Sequence, residues 1–206
     1  MASRWLRRLR RGAGPPRTIK PAFLIEVVVS SGSEIEQRLT EQGLAPGEVV
    51  LKYCWPRYAP PVDSGIRSIG KLDNLGQQFE RLVGMHRAVP SSIPLPLGVV
   101  RSSAGEFVGY VLEYAEGDTL ETLLSLGALR EAERRLVIVE ETLEKLHARS
   151  IAHGDVNPSN VIAADDGRTL LIDPVPVPGP GMQLQDELCI AAIRKRIEAL
   201  RGHGAA

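Results

Sequence analysis

The pattern of apolar and polar positions changes period along this chain. The first half reads mainly as strands and the second half mainly as helices. Residues 23–29 form an apolar, β-branched run, and the alternation Ile35, Gln37, Leu39 after Ser30-Ser-Gly-Ser33 predicts a second strand. Ala45-Pro-Gly47 turns the chain into a third strand over 48–53. Three prolines and several small residues mark 55–70 as a loop. From 72 to 88 the period lengthens: Leu72, Leu75, Phe79, Leu82 and Val83 recur at helical spacing. Pro90 through Pro96 interrupts the helix. Residues 98–101 and 107–112 then predict two more strands, joined by a Ser-Ser-Ala-Gly turn.

A short helix is expected to start at Asp118-Thr119, a good capping position, and to end at Gly127. Residues 130–149 give the strongest helical signal, with Leu136, Val139, Leu143, Leu146 and His147 on one stripe and charged residues opposite. Val161–Ala164 and 169–172 predict a hairpin around Asp165-Asp-Gly167, and a last helix is expected over 184–200 after the Pro/Gly-rich stretch 175–181. Five strands with one inserted helix, then mainly helices, predict an α+β chain with a strand-rich lobe, a helical lobe and a crevice between them. The expected divisions are a basic flexible tail over 1–21, a first lobe over 22–112 and a second over 113–206.

Composition narrows the field. Among 206 residues, 43% are hydrophobic and 24% charged, the balance of an ordinary globular chain long enough for a sizeable core. The formal net charge of zero gives no overall electrostatic pull toward nucleic acid. Arginine is concentrated at the start, at positions 4, 7, 8, 10, 11 and 17, around Trp5, Leu6 and Leu9. Two readings of that segment stand open: a solvated tail, or a face that contacts a membrane surface. Cys54 and Cys189 have no metal-ligand spacing and no disulfide framework, which favours a reducing compartment. No apolar run approaches spanning length, and Glu26 interrupts the run over 23–29 that would otherwise pass for a signal-peptide core.

The chemistry is concentrated in His153-Gly-Asp-Val-Asn-Pro-Ser-Asn160 and, after the predicted hairpin, Leu170-Leu-Ile-Asp173. The spacing His-x-Asp-x-x-x-x-Asn followed by an Asp at the end of an apolar run places one carboxylate to orient a hydroxyl. It also places an amide and a second carboxylate to hold Mg²⁺ on a nucleotide. Upstream, Val49-Val-Leu-Lys52 ends a strand on a lysine, Glu80 lies in Gln78-Phe-Glu-Arg-Leu82, and Glu113-Tyr-Ala-Glu-Gly117 follows the last predicted strand of the first half.

In this order the pieces resemble the protein-kinase-like superfamily, over about Gly32 to Asp173. The resemblance implies a two-lobed fold, ATP and Mg²⁺ as cofactors, and roles for particular residues. Asp155 would accept or orient the acceptor's hydroxyl proton. Asn160 and Asp173 would hold the metal. Lys52 would bind phosphate oxygens, with Glu80 as its ion-pair partner. Backbone groups near Glu113 and Ala115 would take the adenine edge, with Leu112 behind it, and Gly32 would let the backbone approach phosphate. His153 would be a structural hydrogen-bonding residue, and His86 and His147 ordinary helix residues. For Asp186 there are two readings, a support for the catalytic loop or a solvated helix start.

The departures from the family pattern point to an atypical member. Gly154 stands where typical protein kinases have Arg, Asn157 where Ser/Thr kinases usually have Lys, and Pro174 where the Phe of Asp-Phe-Gly would be. Gly32 is a single glycine rather than three. There is no Ala-Pro-Glu motif, and about 33 residues follow Asp173, which implies a truncated helical lobe. These features are similar to RIO-like and lipopolysaccharide-kinase-like proteins, aminoglycoside phosphotransferases and short bacterial effector kinases. The expected activity is a minimal Ser/Thr protein kinase acting on a protein substrate. The alternatives are a small-molecule or glycolipid kinase and a nucleotide-binding pseudokinase. The expected location is cytoplasmic, with a secreted effector as the variant of that reading.

Overall fold

The fold was taken from a computed structural model, which describes residues 7–8, 25–30, 34–44, 49–53 and 69–203. The described chain is mixed α+β, with five helices and two sheets. It divides into two compact units. One takes the chain up to Glu80 together with Leu95–Tyr114, and the other takes Arg81–Pro94 together with the chain from Ala115.

In the first unit, β1 (Arg7–Arg8), β2 (Ile25–Val29), β3 (Val49–Tyr53), β4 (Pro96–Ser102) and β5 (Phe107–Glu113) form one sheet in the order β1-β3-β5-β4-β2. The strands pair antiparallel except β2, which runs parallel to β4 at the edge. Gly98 makes that pairing feasible: a Cβ there would sit 2.2 Å from the Ile25 carbonyl oxygen. On β5, Val108, Tyr110, Val111 and Leu112 are all buried, so both faces of this central strand are covered. Val27, Val29, Leu39, Val49, Val100 and Val111 belong to one apolar cluster. Tyr110 stacks on Phe79 with ring centroids 5.3 Å apart and donates its hydroxyl to Gln78 Oε1 at 2.7 Å, which satisfies the buried polar tip.

The second strand expected from Ile35, Gln37 and Leu39 is instead a helix, α1 (Ile35–Glu41). The apolar residues 35 and 39 fit an i,i+4 spacing as well as an alternation, and the polar residues between them favour the helix. Gln37 donates to Glu41 and Arg38 pairs with Glu41, each at 3.0 Å. Gly43, at φ +80°, then closes the helix: its N–H reaches Thr40 O at 2.9 Å and Leu44 N–H reaches Leu39 O at 3.0 Å. Leu39 and Leu44 are both buried by this arrangement. The sheet's fifth strand is Arg7–Arg8, which pairs with Val50 and Leu51 from within the segment expected to be a tail.

The other elements lie close to their expected positions, except that Gly117–Thr119, where a helix start is expected, forms a strand that adds to the expected hairpin. Helix α2 (Ile69–Ala88) contributes residues to both units. In the second unit, β6 (Gly117–Thr119), β7 (Val161–Ala164) and β8 (Thr169–Leu171) form a small antiparallel sheet. Thr119 caps α3 (Leu120–Ser125) by accepting from Thr122 N. The stripe of α4 (Leu129–His147) buries Leu136, Val139, Leu143 and Leu146, and α5 (Met182–His203) buries Ile190, Ile193 and Ile197. Across the surface, Arg196 makes a two-pronged contact with Glu121 at 2.6 and 2.7 Å, and Arg201 pairs with Glu133 at 2.5 Å. No helix among the described residues is long and apolar enough to cross a membrane.

Candidate active site

The loop between α4 and β7 carries the motif, and its shape is fixed from below by one residue. Asp186, on the first turns of α5, is completely buried. Its Oδ2 accepts from His153 N at 2.8 Å, and its Oδ1 accepts from Gly154 N at 2.7 Å. His147 Nε2 lies 3.0 Å from the same Oδ2. A buried carboxylate needs such donors, and here they are the backbone of the motif itself. Asp186 is therefore a loop support, not a solvated helix start. His147 is more than an ordinary helix residue, because it completes the carboxylate's shell from the end of α4. His86 also has a defined partner, with Nδ1 2.9 Å from Ile93 O.

Gly154 is required sterically. It has φ +83°, and a Cβ there would lie 2.5 Å from Val175 Cγ2 and 2.8 Å from Met182 Sδ. The arginine of typical protein kinases does not fit this position. Behind it, His153 is fully buried. Burial pushes its imidazole down to about 4, outweighing the opposing pull of Asp186 and Asp155, so the ring is neutral at ordinary pH. Its Nδ1 accepts from Asp155 N at 3.3 Å, and Val175 N donates to His153 O at 3.1 Å. These contacts agree with a structural role. On the incoming side, the Arg81 guanidinium donates to Ala152 O. Burial lowers the pKa of that guanidinium, and Asp186 partly opposes the shift.

Asp155 is exposed at the head of the loop. Asn160 Nδ2 donates to its Oδ2 and to its carbonyl oxygen, both at 2.9 Å. Asn157 Nδ2 reaches its Oδ1 at 3.2 Å and its carbonyl oxygen at 3.3 Å. A single 3₁₀ turn, Pro158–Asn160, brings Asn160 back to Asp155. Ile172 N donates to Asn160 O at 2.9 Å, so the chain leaving the hairpin's second strand places Asp173 one residue from Asn160's backbone partner. Asp173 is half-buried and has φ +60°, an uncommon conformation for a residue other than glycine and a sign of local constraint. The hairpin that carries it is itself pinned: Arg135 donates to the carbonyls of Gly167 and Arg168 at 2.7 and 2.9 Å.

This donor set fits Mg²⁺. Asn160 uses its amide nitrogen on Asp155 and keeps an oxygen for a cation. Asp173 offers a hard carboxylate. A magnesium ion typically takes one or two such ligands together with substrate phosphate and water. Among the described residues there is no cluster of three His, Cys, Asp or Glu that would form an all-protein metal cage.

No family model matches the chain. Over 66 residues it is 41% identical to a probable serine/threonine protein kinase, IREH1, of Arabidopsis thaliana. That segment is 31% of this chain and 5% of the plant protein, so the chain spans a small part of the relative's length. Over that segment the match supports a kinase-like relationship.

The remaining expected site residues lie outside this loop. Lys52 is on β3 in register with Tyr110, and its side chain is outside the described residues. Glu80 is on α2 with an exposed side chain. Glu113 ends β5, where its N–H donates to Leu95 O at 3.0 Å and its Oε1 accepts from Leu95 N at 2.9 Å. Ala115 is the first residue of the longer of the two stretches that make up the second unit. Gly32 lies outside the described residues, and so does Cys54. The elements on either side of Gly32 are β2 and α1, not the two strands of a phosphate-covering hairpin. A cavity of about 420 Å³ in the second unit is lined by Arg81, Gly84, Ile151, Met182 and Gln183 among others, and includes none of the expected site residues.

Proposed function

We propose that this protein is an atypical, minimal kinase that transfers the γ-phosphoryl group of ATP to an alcohol, with a protein Ser/Thr hydroxyl as the preferred acceptor. The observation that carries the reading is the exposed Asp155 carboxylate, held by two amides on a loop whose backbone hangs from buried Asp186. In the reaction the acceptor oxygen bonds to the γ-phosphorus and the bond to the departing ADP oxygen breaks. Asp155 aligns the hydroxyl and receives its proton. Mg²⁺ bound with the nucleotide supplies neutralisation of phosphoryl charge. Asn160 and Asp173 are the residues that would hold it. Lys52, with Glu80 as its partner, would bind phosphate oxygens. The backbone at Glu113 and Ala115 would take the adenine edge, and Gly32 would lie near phosphate. A reducing, cytoplasmic setting accords with the free Cys189.

A second reading has its own support. The packing that demands Gly154, together with Pro174 after Asp173, accords with the His-Gly-Asp and Ile-Asp-Pro wording of small-molecule and glycolipid kinases. The test is an acceptor comparison. The purified chain is incubated with Mg²⁺ and γ-labelled ATP, in parallel with cell-lysate proteins and with a panel of sugars, aminoglycosides and lipopolysaccharide. Label on protein bands, lost in Asp155→Ala and Asp173→Ala, is expected. Label confined to the small acceptors overturns the protein-kinase reading in favour of the second. Nucleotide binding without transfer to any acceptor identifies a pseudokinase and overturns both.

A further inference from the structure

We infer that Asn157 is a positioning residue for Asp155. Its side-chain amide forms one jaw of a clamp on the Asp155 carboxylate, and Asn160 forms the other. This inference rests on the proposed phosphotransferase reading and extends it to a residue that the kinase resemblance leaves as a mere departure.

An exposed aspartate turns freely about its last bond, and water competes for both oxygens. Asn160 by itself would hold Oδ2, at 2.9 Å. Asn157 holds the other oxygen, Oδ1, at 3.2 Å. Both amides also donate to the Asp155 carbonyl, so each spans the residue from backbone to carboxylate. The two jaws have different anchors. Asn160 is tied down by Ile172 N, which donates to its carbonyl. Asn157 is tied down at its other end: its Oδ1 accepts from Ser159 N at 3.0 Å, capping the 3₁₀ turn. The turn that brings Asn160 round thus also fixes the amide of Asn157 against Asp155.

The chemistry of the clamp is informative as well. Residues 153–163 contain no lysine or arginine, so both donors belonging to this segment are neutral. They orient the carboxylate without neutralising the charge it needs to take up a proton. The bland alternative is that Asn157 only caps the turn, which any side chain with a short acceptor would do.

Asn157→Ser and Asn157→Ala separate these roles. Serine keeps an oxygen for Ser159 N but cannot reach Asp155 Oδ1, whereas alanine loses both contacts. Steady-state rates and KM for Mg·ATP are measured for wild type, both variants and Asp155→Ala, alongside thermal unfolding. The inference predicts that Asn157→Ser and Asn157→Ala both lower kcat by roughly 10- to 100-fold with KM for ATP changed less than about threefold. Only the alanine variant should also lower Tm. A serine variant with at least half the wild-type kcat, beside a slow and less stable alanine variant, shows a cap alone and overturns the inference while leaving the proposed function intact. A wild-type rate no higher than that of Asp155→Ala overturns both.

Discussion

In the first unit Val27, Val29, Val100 and Val111 pack a sheet in which apolar contacts supply the cohesion, whereas in the second unit the loop 153–160 hangs from a single buried carboxylate, Asp186. The apolar core is redundant: each side chain is one of many, and loss of one leaves the others in place. The polar anchor is not redundant. Two backbone N–H groups and the His147 ring share it, and among the described residues no other Asp or Glu is buried. Fold tolerance and site precision are therefore placed in different chemistries, and the two should fail differently when perturbed.

The largest effect is expected from Asp186→Ala. It strands two buried N–H donors and should cost about 3–5 kcal/mol in denaturant unfolding, with phosphoryl transfer lost as well. Asp186→Asn, which keeps one acceptor, should recover part of the stability. Equal behaviour of Asp186→Ala and wild type would erase the contrast between the units.

His153 gives the next effect, read through pH. In the fold its imidazole is pushed down to about 4, while in the unfolded chain it titrates near its usual value of about 6.5. Between those values the unfolded chain binds the proton that the folded chain refuses. Stability should therefore be complete above about pH 6.5 and fall as pH drops through that window, by about 3 kcal/mol in total. His153→Asn should lack this part of the slope in urea titrations taken from pH 7 to pH 4.

Leu39→Ala sharpens the comparison from the other side. Leu39 is buried in the apolar cluster under α1, and truncation should cost about 2–4 kcal/mol. Hydrogen exchange should show the lost protection in β2, β4 and β5. The smallest effect belongs to the surface. Arg196→Ala removes the exposed contact with Glu121 and should change unfolding free energy by less than about 1 kcal/mol, diminishing further in high salt.

The same division governs what the sequence makes legible. The motif loop, the hairpin behind it and the stripe of α4 follow from local spacing, because a turn cap, a 3.6-residue period and a two-strand connection are written in contiguous residues. Residues 35–39 mislead because a five-residue stretch with apolar ends satisfies period 2 and an i,i+4 spacing equally well, and the deciding contacts, Gln37 and Arg38 to Glu41, lie partly beyond it. The parallel pairing of β2 with β4 depends on Gly98, far along the chain, and has no local signature. Asp186 is ambiguous for a similar reason. An acidic residue near a helix start is usually solvated, and only the chain's return beneath His153 and Gly154 makes it an anchor. Asn157 carries a fainter signal: Asp-x-Asn-x-x-Asn puts two amides within reach of one carboxylate, but their convergence requires the 3₁₀ turn.

The central claim is that Asp155 and Asp173 serve one phosphoryl-transfer site. The most direct measurement is the initial rate of ADP release from Mg·ATP, with the labelled acceptor as substrate, for wild type, Asp155→Asn and Asp173→Ala at matched folded concentration. The account predicts a fall of roughly 10³-fold or more in both variants, with unfolding midpoints near that of the wild type for exposed Asp155. Rates in either variant within a few-fold of wild type would contradict it.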